Sequence, residues 1–354
     1  MEGYRRDRRY AGYGLEGDIV ELGRWELLRA LGRVAADPAA AAELGLRPAG
    51  ETAHAEVFEV NCPPYAALYL GEDQGQLATL WTAAGLEVPP EPDHLAGMLD
   101  RYAGLGEGAG LDGARRVLLR EFLWPWLPAY LGAVLDLPAG PLTRWAELTL
   151  DALRHERDQD RNLDESSGGP LPLPRALREA PPALGLGDPS APVEPGGFGA
   201  WAGPGVPGGL DGRVEGLVEG RVDGLVEGLV EGLLTPRRSG MILTRRVVAA
   251  GAEQVGAGRR IGNRRRALAA MLAAAPERTA RWLAGEADHW AHRHRAFSPD
   301  PVQLWWAERA AATARLLRSA PLAREAREAR EVRVIRGEGD AGGCRETAGV
   351  SGAG

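Results

Sequence analysis

Three features of the sequence predict an all-α fold. Apolar residues recur at steps of three and four over most of the chain, and strand-like alternation is confined to one short run. Prolines and glycines fall between the periodic stretches or gather in one block. The expected architecture is a single multi-helix bundle of about 9–11 helices, interrupted by a long Gly/Pro-rich disordered insertion.

Taken in order, residues 1–17 hold Arg5-Arg6 and Arg8-Arg9, which look like a twin-arginine export signal. The continuation Tyr10 to Asp18 carries glycines and charges where such a signal needs an apolar core, so a flexible N-terminus is expected instead. Residues 18–155 form the N-terminal helical part. Trp25, Leu28, Leu31 and Ala35 make one apolar stripe. Pro38 opens a short helix that Gly45 closes, and Gln76 to Trp81 form another, ending near Gly85. His94, Leu95, Met98, Leu99 and Tyr102 step along the next. The strongest stripe is Val117, Leu118, Phe122 and Trp126, continued by Tyr130, Leu131 and Val134. Pro125 disfavours helical geometry at Trp124, which predicts a kink or two abutting helices there. Val57-Phe58-Glu59-Val60 is the one candidate strand.

Residues 156–233 read as a linker. Of the 45 residues from Gly168 to Gly212, 22 are Gly or Pro. A tetrad repeat follows, from Arg213-Val214-Glu215-Gly216 to Leu229-Val230-Glu231-Gly232. A four-residue period drifts by ~40° per repeat against the helix, so its valines would spiral rather than align. With each glycine costing ~1 kcal/mol in a helix, only the last turns near Leu233-Leu234 are expected to be helical. Residues 234–320 form the C-terminal helical part, with Thr244 and Asn263 as caps and helix starts at Pro276-Glu277 and Ser298-Pro299. The Arg-Glu-Ala triplets and glycines of 321–354 suggest a solvated, disordered tail.

Composition narrows the functional classes. The chain has 354 residues, and all 42 of its basic residues are arginine. Without lysine there is no Schiff-base chemistry and no P-loop phosphate grip, so Gly256 to Gly262 only superficially resembles a phosphate loop. A net charge of −7 argues against a dedicated nucleic-acid binder. The two cysteines, Cys62 and Cys344, define no disulfide framework and suit a reducing compartment. Phe122 to Leu135 is too short and too proline-broken to span a membrane, which needs ~20 residues. A cytoplasmic location is the expectation.

Four segments carry a resemblance. They are Pro63-Pro64-Tyr65-Ala66-Ala67-Leu68-Tyr69-Leu70, Glu91-Pro92-Asp93-His94-Leu95, Phe122-Leu123-Trp124-Pro125-Trp126-Leu127-Pro128 and Ser239-Gly240-Met241-Ile242-Leu243-Thr244-Arg245. In order and spacing the chain resembles the TorD/DmsD/NarJ family of cytoplasmic molybdoenzyme-assembly chaperones, over roughly 18–155 and 234–320. Ala66-Ala67 and Met98 depart from it, standing where a serine and an acidic residue are common. The resemblance implies an all-helical, non-enzymatic protein without a cofactor. Its partners would be the catalytic subunit of a molybdopterin oxidoreductase and that subunit's twin-arginine signal peptide, held until the molybdopterin is inserted. Family members can swap helices between protomers, which allows a homodimer.

The residues have their own chemistry. Pro63, Pro64, Tyr65, Leu68 and Tyr69 could line a groove, or Tyr65, Leu68 and Tyr69 could be core at helical spacing. Pro92 places Asp93 near a helix start, with His94 in the first turn. With Glu91 these groups could meet a guanidinium, or they could be a helix cap beside a solvated histidine. Trp126 is a candidate peptide contact, although core packing suits it as well. The second functional reading is an α-helical metal-binding enzyme around His289 and His292, which are spaced i, i+3 with Glu286 nearby. Arg293 and Arg295 would repel a cation there.

Overall fold

The computed structural model describes residues 22–71, 75–165, 172–185, 226–258, 263–298 and 300–319. The expected flexible segments 1–17 and 321–354 lie outside these residues, as do 166–171 and 186–225 of the expected linker. The fold is all-α. Among the described residues there is no β-strand, only an isolated antiparallel bridge between Tyr65 and His94.

The helices are α1 (Arg24–Val34), α2 (Glu51–Ala55), α3 (Ala66–Leu70), α4 (Gly75–Ala83), α5 (Leu95–Glu107), α6 (Asp112–Val117), α7 (Leu127–Leu135), α8 (Pro141–Glu165), α9 (Arg175–Arg178), α10 (226–234), α11 (Pro236–Ser239), α12 (Arg245–Gln254), α13 (Arg264–Ala274), α14 (Pro276–Phe297) and α15 (Pro301–Ser319). A 3-10 helix spans Pro38–Leu44, capped by Asp37 and closed by Gly45 in the left-handed region at φ 68°. π-Helical turns continue α2 over Glu56–Asn61 and α6 over Leu118–Leu123. Each π turn runs into a proline: Cys62-Pro63-Pro64 in one case, Trp124-Pro125 in the other. The wider i→i−5 bonds, Cys62 N–H to Val57 O at 2.7 Å and Trp124 N–H to Leu119 O at 2.8 Å, close each turn just before the missing donor. Two abutting helices meet at Pro125 as expected, but Trp124 keeps helical geometry at φ −61°, ψ −32°, and the break falls instead at Trp126, φ −125°, ψ −31°. Val57–Val60 is helical and not a strand. Val57 and Phe58 are buried side by side, and their buried neighbours His54 and Asn61 lie at helical spacing.

At the centre lies α7. Every residue from Leu127 to Val134 is buried, which its all-round apolar sequence requires. α1 packs along α5, α8 lies against α7, and α14 and α15 form a long hairpin. The hairpin is antiparallel: His294 stacks on Trp306 near its closed end, and Arg318 pairs with Asp288 near the other. Trp306 donates Nε1–H to Pro125 O at 2.7 Å and Asn61 Oδ1 accepts from Arg246 N–H at 3.0 Å, so the N- and C-terminal parts form one unit. Trp305 keeps its half-buried edge outward, because two adjacent indoles cannot both face inward from one helix.

The linker boundary at 155/156 needs correction. α8 continues to Glu165, and Glu156 and Asp160 are buried within it. Glu156 receives Arg24 Nε and Nη2 at 2.5 Å each and the Tyr102 hydroxyl at 2.6 Å. Asp160 receives Arg120 at 2.6 and 2.9 Å and Arg157 at 3.3 Å. Arg157 also reaches Asp300 at 3.1 Å. Asp300 accepts from Trp124 Nε1 at 3.2 Å and caps α15 through Val302 N–H at 2.8 Å, a role expected further upstream at Ser298-Pro299. Two carboxylates of a charged run whose Asp158 and Arg161 stay exposed are buried because arginines, Arg24 and Arg120 distant in the chain, neutralise them. The remainder of the expected linker is also partly core. Ala176, Leu177 and Leu184 are buried, and so are Leu229, Val230 and Leu233 of the final tetrad and α10.

Candidate functional site

The first candidate site is a strap, residues 62–70, laid across the turn at 91–94. Pro63 and Pro64 have no N–H to continue the preceding helix, so the chain extends until α3 begins. Leu95 N–H donates to Pro64 O at 2.9 Å and Ala66 N–H donates to Asp93 O at 3.1 Å, which forms the Tyr65–His94 bridge. The caps are crossed. Asp93 Oδ2 accepts Ala67 N–H of α3 at 3.1 Å, while His94 Nδ1 accepts Ala96 N–H of its own helix α5 at 3.2 Å. The histidine, rather than the aspartate, is therefore the cap of α5.

Side chains divide the strap into an inner and an outer face. On the inner face Tyr69 stacks on Trp126 with centroids 5.2 Å apart and meets Tyr130 edge-on at 5.4 Å. Its hydroxyl donates to Pro63 O at 2.9 Å. Burial holds both phenols well above their ordinary range and pushes the Cys62 thiol up to about 12, so all three groups stay protonated. On the outer face, Tyr65 packs edge-on against His94 at 4.9 Å and donates its hydroxyl to Glu91 Oε2 at 3.2 Å. Burial lowers the His94 pKa against the opposing pull of Glu91 and Asp93, which favours the neutral ring. Because Nδ1 accepts from Ala96, the neutral ring carries its proton on Nε2 as a donor. Leu68 adds an apolar side chain that is 49 % exposed.

These placements sort the expected peptide contacts. Tyr65, Glu91 and His94 are accessible and touch one another on the outer face; Leu68 is exposed on the same strap and Pro63 is half-buried. Pro64, Tyr69, Pro92, Asp93 and Trp126 are buried. Asp93 is only 1 % exposed with its carboxylate committed to a cap, and Trp126 gives its Nε1–H to Phe122 O at 2.7 Å. A docking peptide cannot touch this second group, whose part is to hold the strap against α7. The strap and the turn nonetheless come together, which is the condition a shared surface must meet. No family model, curated protein or solved structure matches the chain.

The second candidate lies at the other end of α7. A half-open pocket of about 280 Å³ is lined by Asp136, Glu286, His289, Trp290, Ile242 and Val247, with Ala133 and Thr244 between them. Of its two carboxylates, Glu286 stands beside the histidines in sequence, whereas Asp136 has no local signal but its place directly after the apolar run of α7. Arg293 pairs with Asp136 and lies over the Trp290 ring, 5.5 Å from its centroid. His289 is 3.9 Å from Asp136, at the rim. His292 is exposed and does not line the pocket, and His294 is buried against Gly240 O. Of the expected His289/His292 pair, only His289 lines the pocket. Among the described residues no group of three His, Cys, Asp or Glu side chains is placed to hold a metal. No helix among the described residues is long and apolar enough to cross a membrane.

Proposed function

We propose that this protein is a peptide-binding chaperone of the TorD/DmsD/NarJ type. It acts in the cytoplasm on the twin-arginine signal peptide, or the apo-form, of a molybdopterin-dependent oxidoreductase until the cofactor is inserted. The observation that carries this reading is the Tyr65–His94 bridge. It sets an apolar side chain, Leu68, on the same strap-and-turn unit as a carboxylate, Glu91, a phenol, Tyr65, and an imidazole donor, His94. A twin-arginine peptide offers complementary groups: guanidinium forks for the carboxylate and an apolar segment for the leucine. Charge would set register while apolar burial supplies affinity. The protein binds and releases; it makes no bonds of its own.

Calorimetric titration of a synthetic twin-arginine signal peptide, with an Arg-to-Gln peptide as control, tests the proposal. Glu91→Gln should weaken the arginine peptide by roughly tenfold, as expected for loss of one charged hydrogen-bond acceptor, and leave the control unchanged. Equal affinity for both peptides would remove the charge reading, and no binding of either would remove the chaperone reading.

A further inference from the structure

The pocket between α7, α12 and α14 has no part in the strap surface, and its charge balance is uneven. Asp136 already has a guanidinium, that of Arg293. Glu286 is half-buried one turn before Trp290 and has no arginine within ion-pair distance among the described residues. Burial raises its carboxyl pKa, opposed by His289 and by a hydrogen bond from the Trp282 side chain, with Asp136 adding to the rise. Ile242, Val247 and Trp290 provide an apolar wall. Arg293 itself shows how this wall receives a cation, paired with the Asp136 carboxylate and lying over the Trp290 indole.

We infer that this pocket is a receptor for one small organic cation, an alkylguanidinium or alkylammonium group on a short apolar stem, with Glu286 as its counter-ion. The stoichiometry follows from the one carboxylate left without an arginine. The size follows from the volume, which at about 280 Å³ falls just below the range of drug-sized sites, about 300–1,000 Å³. A metal ion suits the pocket poorly. Arg293 occupies Asp136, and the apolar wall supplies none of the oxygen ligands a hard cation requires. The same chemistry could arrive as a free amine or as an arginine side chain of another polypeptide. The inference stands independently of peptide binding at the strap.

Butylguanidinium and butylammonium are the probes, with neutral butanol as control, titrated by calorimetry and by the indole N–H shift of Trp290. Both cations should bind saturably and butanol should not. Glu286→Gln should weaken them at least about tenfold at unchanged melting temperature. Glu286→Asp should retain the preference for cation over alcohol, and Asp158→Asn, exposed on α8 and away from the pocket, should change nothing. A capped Gly-Arg-Gly peptide identifies the source: binding comparable to butylguanidinium indicates a side-chain receptor, and exclusion indicates a free amine. Equal binding of butanol, undiminished binding to Glu286→Gln, or no saturation by either cation would overturn the inference.

Discussion

His294 is a buried base whose protonation can be read as stability. It is 2 % exposed, sandwiched between Trp290 and Trp306, and its Nε2 lies 3.1 Å from Gly240 O. A carbonyl can only accept, so Nε2 carries the proton and Nδ1 is an acceptor. Gln303 Oε1 lies 3.4 Å from Nδ1, and Gln303 Nε2 has no other partner among the described residues; a half-turn of that amide satisfies both. Burial lowers the pKa from 6.5 to about 4, with Arg293 adding to the fall. Between these values the unfolded chain binds the proton and the folded chain does not. Stability present above pH 6.5 is therefore lost as the pH falls toward 4. At about 1.4 kcal/mol per unit, lowering the pH from 7 to 4.5 removes about 2 kcal/mol through this residue alone. Urea unfolding at both pH values, for the protein and for His294→Gln, isolates the contribution. The pH-dependent loss should be smaller in the variant by that amount, and the ring's NMR titration should centre near pH 4. Equal pH dependence in the two proteins, or a ring titrating at 6 or above, would refute the reasoning.

Asp160→Ala should destabilise the fold by about 1–3 kcal/mol in urea or thermal unfolding, because it removes a buried acceptor from the Arg120 and Arg157 guanidiniums, while Arg157 keeps Asp300. The exposed neighbour Asp158→Ala should stay within about 0.5 kcal/mol. Asp93→Ala should cost about 1–2 kcal/mol by removing the cap of α3, with faster hydrogen exchange at Ala67 N–H as its local signature. If Ala67 exchanges at the same rate in both proteins, the crossed cap does not exist in solution.

The sequence by itself determined the helical class, because period and punctuation are local. Pro125 marks where one helix must yield to the next, Thr244 and Asn263 cap the helices they precede, and the apolar run of α7 could only be central. It also marked the segments 63–70 and 91–95 as candidates. What it could not decide was which of their side chains face outward, since Tyr65 and Tyr69 are four residues apart on chemically similar ground. Only the bridge to His94 and the stack on Trp126 separate them. Glu156 and Asp160 were illegible for the same reason. A buried carboxylate looks like a solvated one until its arginine arrives, and Arg24 lies 132 residues away from Glu156. The pocket too is a product of tertiary structure. Asp136 and Glu286 come from helices far apart in the chain, and only packing sets them around one space, with one of them already holding an arginine.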